Sequence, residues 1–334
     1  MNPAAREYSR IVMRPNASAE MVAVTVTEPL PQPAGHQVLL SVSASGLNRA
    51  DLLQRDGDYL PPAGESDTPG LESAGVVLSV GSDVTNVAVG DRVCALLGSG
   101  GHATHVLARA DLVAAVPDTL TDADAAALPE ALSTAWWNLV ELGRIHAGDR
   151  VLIYGANSGV GHLAGQAVLA LGGSVIAATR GTQHHPELTS MGFACIDMNS
   201  PEPAAAILGM APGGVDIVLD LVGASFADVT QSVLAHAGRW LSIGLLGGET
   251  VSLSLRKVIR NRWVITGSSL RSLTAAERAR AMAGVRKQLW PSVESGDIRA
   301  RIDSVFDYGD AQAAFEHLER GGVFGKIILS HTAR

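Results

Sequence analysis

Cysteine is nearly absent from this chain. Only Cys94 and Cys195 occur among 334 residues, far apart in sequence. Two thiols exclude both a disulfide framework and a structural zinc site built from four thiolates. Long apolar runs are missing as well, and nothing approaches the roughly 20 residues that cross a bilayer. The stretch MNPAAREYSRIVMRPN lacks the apolar core of a secretion signal. Lys and Arg do not cluster, and the formal net charge is −8, so the electrostatic footprint of a nucleic-acid binder is lacking. These absences predict a cytoplasmic protein with neither membrane nor nucleic-acid partners. Glycine, by contrast, is plentiful at 36 residues, and hydrophobic residues make up 47%. That composition suits sizeable cores joined by tight turns. The length predicts two domains.

The most informative stretch is VLIYGANSGVGHLAGQAVLALGGSVIAATR, residues 151–180. Val151–Tyr154 is a short apolar run bounded by turn residues, the pattern of a buried strand. The small-residue turn Gly155–Gly161 follows. A helix rich in Ala and Leu then runs to Gly172–Gly173, and Val175–Ala178 is a second strand. Strand, helix and strand together form the nucleotide-binding half of a doubly wound sheet. A pyrophosphate needs backbone N–H donors and the positive end of a helix, with no Cβ in the way. Ser158, Gly159, Val160 and Gly161 supply that place. The full G-x-G-x-x-G pattern is not met, because Ala156 and Ser158 stand where its two earlier glycines belong; any tight strand–helix turn is the bland alternative.

Residues up to about 120 read as β-rich. Val22–Val26, Val38–Val42, Val76–Val80 and Val93–Leu97 are short β-branched runs separated by Pro and Gly clusters. Thr121, with Asp124 three residues on, reads as a helix cap, and Pro129 divides the following pattern into two helices ending at Gly143. Beyond residue 180 come strands at Val215–Asp220, Arg239–Ile243 and Arg262–Gly267, with a helix at Ala224–Ala235. Helices at Thr274–Leu289 and Ala311–Arg320 precede a last strand, Lys326–Leu329. Strands alternating with helices imply an α/β domain with a parallel sheet. The C-terminal segment is expected to complete the β-rich domain, which is then discontinuous.

Several of these segments carry a resemblance. Gly46–Arg55 (GLNRADLLQR), Tyr59–Pro62, Pro69–Glu72, Leu128–Glu130, Ser158–Gly161, Gly238–Trp240, Gly244–Gly248, Gly267–Ser272 and Gly325–Leu329 resemble, in order along nearly the whole chain, the quinone oxidoreductase branch of the medium-chain dehydrogenase/reductase superfamily. The likeness is greatest to the p53-inducible type. It implies a GroES-like β-barrel domain (residues 1–127 and 272–334), a Rossmann domain (residues 128–271) and a cleft between them. It also implies metal-free reduction of quinones by NADPH, and a homodimer joined through edge strands of the Rossmann sheet near Trp263–Gly267. Zinc enzymes of the superfamily place Cys at the position of Asn48 and His at the position of Leu71, so two ligands of a catalytic zinc are missing here.

An NAD site carries Asp or Glu about 20 residues past the glycines. This chain has Thr179–Arg180–Gly181 there, and a guanidinium suits a 2′-phosphate. The family's Lys and Tyr for that phosphate correspond to His184 and Asn199. A protonated His184 still donates, which predicts an affinity that depends on pH. By the same resemblance, Asn48 and Thr134 orient the nicotinamide. Leu245 and Ser268 to Leu270 line the far side, and Lys326 lies close to the cofactor. Tyr59 reaches the acceptor carbonyl, with Ser158 as a second polar candidate. Bland readings stand beside these: Asn48 as the cap of the following helix, and Tyr59 as a loop anchor. His102-Ala-Thr-His105 has a metal-compatible spacing, but a surface role is expected. Of Trp136 and Trp137, one is expected in the core. Alternative functions are an enone or enoyl-thioester reductase and a non-enzymatic, crystallin-like NADPH-binding protein.

Overall fold

The computed structural model describes residues 7–331. The chain divides into two compact units. The first comprises Met1–Ala131, Thr274–Arg286 and Ala300–Arg334; the second comprises Leu132–Leu273 and Lys287–Arg299. Residues 287–299 lie with the second unit.

In chain order the strands are β1 (Glu7–Pro15), β2 (Met21–Pro29), β3 (Gln37–Leu47), β4 (Glu72–Val80), β5 (Arg92–Leu96), β6 (His105–Arg109) and β7 (Val113–Ala115). Then follow β8 (Arg150–Tyr154), β9 (Ser174–Thr179), β10 (Ala194–Asp197), β11 (Val215–Asp220), β12 (Leu234–Ser242), β13 (Val264–Gly267), β14 (Ile302–Asp307) and β15 (Lys326–Ser330).

The first unit is built on β3. Its sheet runs β14-β15-β3-β4-β5-β7, with β6 also paired to β3, while β1 and β2 form a separate antiparallel pair. β3 is long enough to hold β6 against residues 37–41 and β15 against residues 44–47 on the same edge. Alternate residues Val38, Leu40 and Val42 point into one core with Val77, Val93, Ala95 and Val106, as the period-2 geometry of a strand requires. The strand expectations at 22–26, 38–42, 76–80 and 93–97 fall on β2, β3, β4 and β5. β1 and β14 escape the sequence pattern: their β-branched residues are mixed with charges, and burial alternates only weakly.

The second unit is a six-stranded parallel sheet in the order β10-β9-β8-β11-β12-β13. Numbered within the unit this is 3-2-1-4-5-6, the doubly wound arrangement, whose order reverses between β8 and β11. One core face gathers Leu152, Tyr154, Ile176, Val218, Trp240 and Trp263. The capping box of Thr121 and Asp124 forms: the hydroxyl accepts from the Asp124 N–H at 3.1 Å and the carboxylate accepts from the Thr121 N–H at 3.2 Å. The helix Pro129–Trp136 starts at the expected proline but widens into a π-helical turn over Trp137–Leu142. There the Gly143 N–H bonds to the Asn138 carbonyl at 2.7 Å, while the Asn138 side chain donates to the Thr134 carbonyl at 2.9 Å. A side chain that binds the carbonyl one turn back competes with the regular ladder. Trp136 and Trp137 are both buried.

Candidate active site

Parallel register brings the ends of the strands in the second unit into one row. Asp197 pairs with Thr179, Tyr154 with Ala178, Asp220 with Tyr154, Ser242 with Asp220 and Gly267 with Ser242. The segments that follow these ends hold Ser158–Gly161, Arg180, Asn199, Leu245 and Ser268. Open α/β sheets bind ligands outside such carboxyl ends.

The helix Gly159–Ala170 begins there, capped by Ser158, whose Oγ accepts the Gly161 N–H at 3.0 Å. By helix geometry the N–H groups of Gly159 and Val160 have no partner within the helix. They lie on a half-exposed surface and suit an anion. Glycine is needed at 161: a Cβ there would lie 2.3 Å from the Gly155 carbonyl oxygen and 2.8 Å from the Ala156 Cα. A dinucleotide pyrophosphate fits this cradle.

Beyond β9, Arg180 is exposed and has no hydrogen-bond or ionic partner among the described residues. Asn199 follows β10, and one carboxylate serves both loops: Asp197 Oδ1 accepts the Gly181 N–H at 2.7 Å and the Asn199 N–H at 2.9 Å. Those two backbone bonds, with His185 nearby, hold the Asp197 carboxyl below the usual range. His184 stands at the N-cap position of the short helix that follows, and its side chain makes no capping bond there. Thr134, buried on its helix, is tied to Ser268 through Asn138, whose Oδ1 accepts the Ser268 hydroxyl at 3.0 Å. Leu245 is exposed, and Leu270 opens a single 3-10 turn. Under the switch point, burial pushes the Asp220 carboxyl up, although it accepts from the N–H groups of Val222 and Gly223 and from the Trp240 indole.

In the first unit Asn48 and Lys326 meet around a third residue. Lys326 Nζ donates to Asn48 Oδ1 at 2.6 Å and to Glu72 Oε1 at 2.5 Å, and Asn48 Nδ2 donates to Glu72 Oε1 at 2.9 Å. The second Glu72 oxygen accepts the Glu130 N–H at 2.9 Å. Lys326 and Glu72 are 2% and 0% exposed, so each ion is the other's compensation for lost hydration. Asn48 also stands at the cap position of the helix Arg49–Asp56, yet its amide is spent on this cluster. Both Nδ2 protons are used, the second at 3.3 Å from the Gly46 carbonyl, so only a lone pair of Oδ1 is left to offer a ligand. Tyr59 lies half-buried in the loop beyond that helix, its N–H bonded to the Leu53 carbonyl.

Behind this cluster lies a polar chain, and it corrects the expected surface role of His102, which is wholly buried. Its Nε2 lies 3.4 Å from Asp51 Oδ2, and its Nδ1 lies 2.9 Å from Ser45 Oγ, which in turn is 3.0 Å from His331 Nε2. The segment around His102 turns inward because Gly70 and Gly101 bring two backbones into contact; a Cβ on Gly70 would lie 2.5 Å from the His102 nitrogen. Asp51 accepts the N–H of Asn48 at 2.7 Å and of Gly70 at 2.9 Å. Burial drives its carboxyl upward, but His102 and these N–H groups outweigh burial and hold it low. Burial with His102 beside it presses the His331 imidazole down to about 3.

Sequence reasoning missed Glu72, Asn138 and Asp197 as site residues. Glu72 lay inside a recognised motif; nothing in the spacing marked the other two.

Two family models match the chain: the alcohol dehydrogenase GroES-like domain over residues 34–118 and the zinc-binding dehydrogenase over residues 194–329. Mouse quinone oxidoreductase is 31% identical over 307 residues, covering 90% of this chain and 91% of that protein. The chain belongs to the medium-chain dehydrogenase/reductase superfamily, in its quinone oxidoreductase branch. A segment of a phenolphthiocerol/phthiocerol polyketide synthase of Mycobacterium tuberculosis is 33% identical over 304 residues, 90% of this chain but only 14% of that synthase. The solved structure of an alcohol dehydrogenase superfamily protein from Novosphingobium aromaticivorans superposes with a TM-score of 0.85 at 29% identity, covering 98% of this chain and 100% of that one. Membership makes the chain an oxidoreductase of this family, and the fold implies a nicotinamide cofactor. No helix among the described residues is long and apolar enough to cross a membrane.

The name of one family model raises zinc, and the residues do not fit it. An amide and a buried leucine stand at the two ligand positions, and the adjacent carboxylate is already held by an ammonium group. Among the described residues no three His, Cys, Asp or Glu side chains converge as a ligand set.

Proposed function

We propose that the chain is an NADPH-dependent quinone oxidoreductase that works without a metal. The observation that carries this reading is the cradle at the N-terminus of the helix Gly159–Ala170, with an unpartnered Arg180 at the end of the neighbouring strand. The 31% identity to a mouse quinone oxidoreductase along nearly its whole length supports the acceptor class. When bound, the cofactor supplies a hydride; the reduced acceptor needs one further proton from the protein or from water.

In this reading the N–H groups of Gly159 and Val160 hold the pyrophosphate. Arg180, His184 and Asn199 hold the 2′-phosphate, Arg180 through paired donors. Thr134, Leu245, Ser268 and Leu270 flank the nicotinamide. Asn48, fixed by Lys326 and Glu72, presents its carbonyl to a donor on the bound ligand. Tyr59 holds a proton for the acceptor oxygen. Quinone reduction is intrinsically easy, so Tyr59→Phe lowers turnover only a few-fold. Ser158 caps the turn with its oxygen and keeps its hydroxyl proton as the second polar candidate beside Tyr59. The protein pairs with a second copy of itself through β13, whose Val264 and Ile265 are 49% and 38% exposed.

A second reading is reduction of a conjugated enone or enoyl thioester; a solved enoyl reductase, CurK, shares this fold with a TM-score of 0.82 at 24% identity. Both readings deliver hydride to an electron-poor acceptor and differ in acceptor shape. The deciding experiment is oxidation of NADPH, beside NADH, with an ortho-quinone and a simple enone, in the presence of chelator. Turnover with the quinone and NADPH, undiminished by chelator, is the expected result. Turnover with the enone alone moves the protein to the second reading, and preference for NADH overturns the role of Arg180. Cofactor binding without turnover on either acceptor favours a non-enzymatic NADPH-binding protein.

A further inference from the structure

Asp197 does more than join two loops. It ends β10 beside Thr179, the last residue of β9, and it carries negative charge into a place that the proposed function assigns to a phosphate. Its Oδ1 gathers two backbone N–H groups, those of Gly181 and Asn199. The other end of the same turn is held too: the Thr179 hydroxyl donates to the Gly181 carbonyl at 2.8 Å and lies 2.9 Å from His185 Nε2. Gly181 sits at φ +83°, a left-handed conformation that non-glycine residues adopt at a cost. Arg180 therefore projects from a turn whose following residue is clamped at both its N–H and its C=O. Asn199 springs from the same carboxylate.

We propose that Asp197 is a positioning residue that sets selectivity for the 2′-substituent of the dinucleotide, acting in two opposed ways through one side chain. Its oxygen fixes the roots of Arg180 and Asn199 so that both reach one phosphate. Its charge repels that phosphate and limits how tightly the group is held. The inference rests on the reading that this site takes a 2′-phosphorylated dinucleotide. The two effects separate chemically. Asparagine keeps the accepting oxygen and removes the charge; alanine removes both. A clamp that served stability alone would move affinity for all adenine nucleotides together and would not reverse sign between two variants.

The test uses the full chain and two small probes, 2′,5′-ADP and 5′-ADP, with Kd measured by calorimetry and no turnover required. Asp197→Asn is expected to bind 2′,5′-ADP several-fold more tightly than the parent, by a margin that shrinks at high salt as an exposed charge effect must. Asp197→Ala is expected to bind it about tenfold more weakly, roughly the loss of one well-made contact. Affinity for 5′-ADP stays within about twofold in both variants, on the same scale. Should Asp197→Ala melt early, Asp197→Asn alone still decides, because it preserves the clamp. Unchanged or weakened binding of 2′,5′-ADP by Asp197→Asn overturns the inference, as does parallel loss of both probes in Asp197→Ala. Failure of the underlying reading shows separately, in the parent protein, as equal affinity for the two probes; the sign of the Asp197→Asn change is read regardless.

Discussion

Lys326 and Glu72 form an ion pair that solvent does not reach, with Asn48 as the third member. Removing one ion of such a pair leaves the other buried and uncompensated, at a cost of about 3–5 kcal/mol. Lys326→Met is accordingly expected to lower the melting temperature markedly, whereas Lys326→Met combined with Glu72→Gln recovers much of the loss; a double variant no more stable than the single one would show that charge compensation is not what holds the site. His331 gives a pH prediction. Its folded-state pKa of about 3 lies far below the ordinary histidine value, so it stays neutral in the native chain while the unfolded chain takes up a proton near pH 6.5. Stability must then fall as pH drops below about 6.5, by up to about 1.4 kcal/mol per pH unit until the native imidazole also charges. Denaturant melts from pH 7.5 to 4.5 check this, and His331→Gln should flatten the slope. Asn48, Glu72 and Lys326 were each visible in sequence as parts of short motifs. That they touch was not, because 278 residues separate Asn48 from Lys326 and only the pairing of β15 with β3 joins them.

At the level of elements, the strand–helix turn of residues 154–161 is the place where backbone geometry and ligand chemistry coincide. Gly161→Ala forces a methyl group into the Gly155 carbonyl oxygen. Overpacking of this kind costs about 1–3 kcal/mol. Dinucleotide affinity should fall further than stability, since the same shift displaces the N–H groups of Gly159 and Val160; unchanged affinity in a folded variant would remove the turn from the binding site. The doubly wound sheet was legible because β8, β9 and β11 are almost wholly buried and read as plain apolar runs. Val215–Asp220 and the helix Ala311–Arg320 have the very limits that patterning gave them. The π-helical turn at Trp137–Leu142 was not legible, since it depends on which carbonyl the Asn138 amide reaches. The inward turn at His102 was hidden for a similar reason. A glycine-rich stretch signals close approach of backbones but does not say what it approaches.

For the molecule as a whole, the outer strand of the second unit is an exposed apolar edge. β13 leaves Val264 and Ile265 exposed, and Leu255 and Ile259 of the helix before it are 70% and 77% exposed. An uncovered apolar strand edge invites another strand. If a second copy covers it, Ile265→Lys should halve the mass seen by sedimentation while leaving the fold intact; an unchanged mass would place any self-association elsewhere. The order in which the chain visits its two units has a consequence for its synthesis. Nearly all of the second unit is made in one continuous stretch, so its sheet can close while translation is still under way. The first unit cannot do the same. Its central strand β3 is made early and waits for β15, and Glu72 stays without its cation until Lys326 emerges. During that interval the nascent sheet carries an open edge along β3 and an acid without its cation, so the last strand closes both at once.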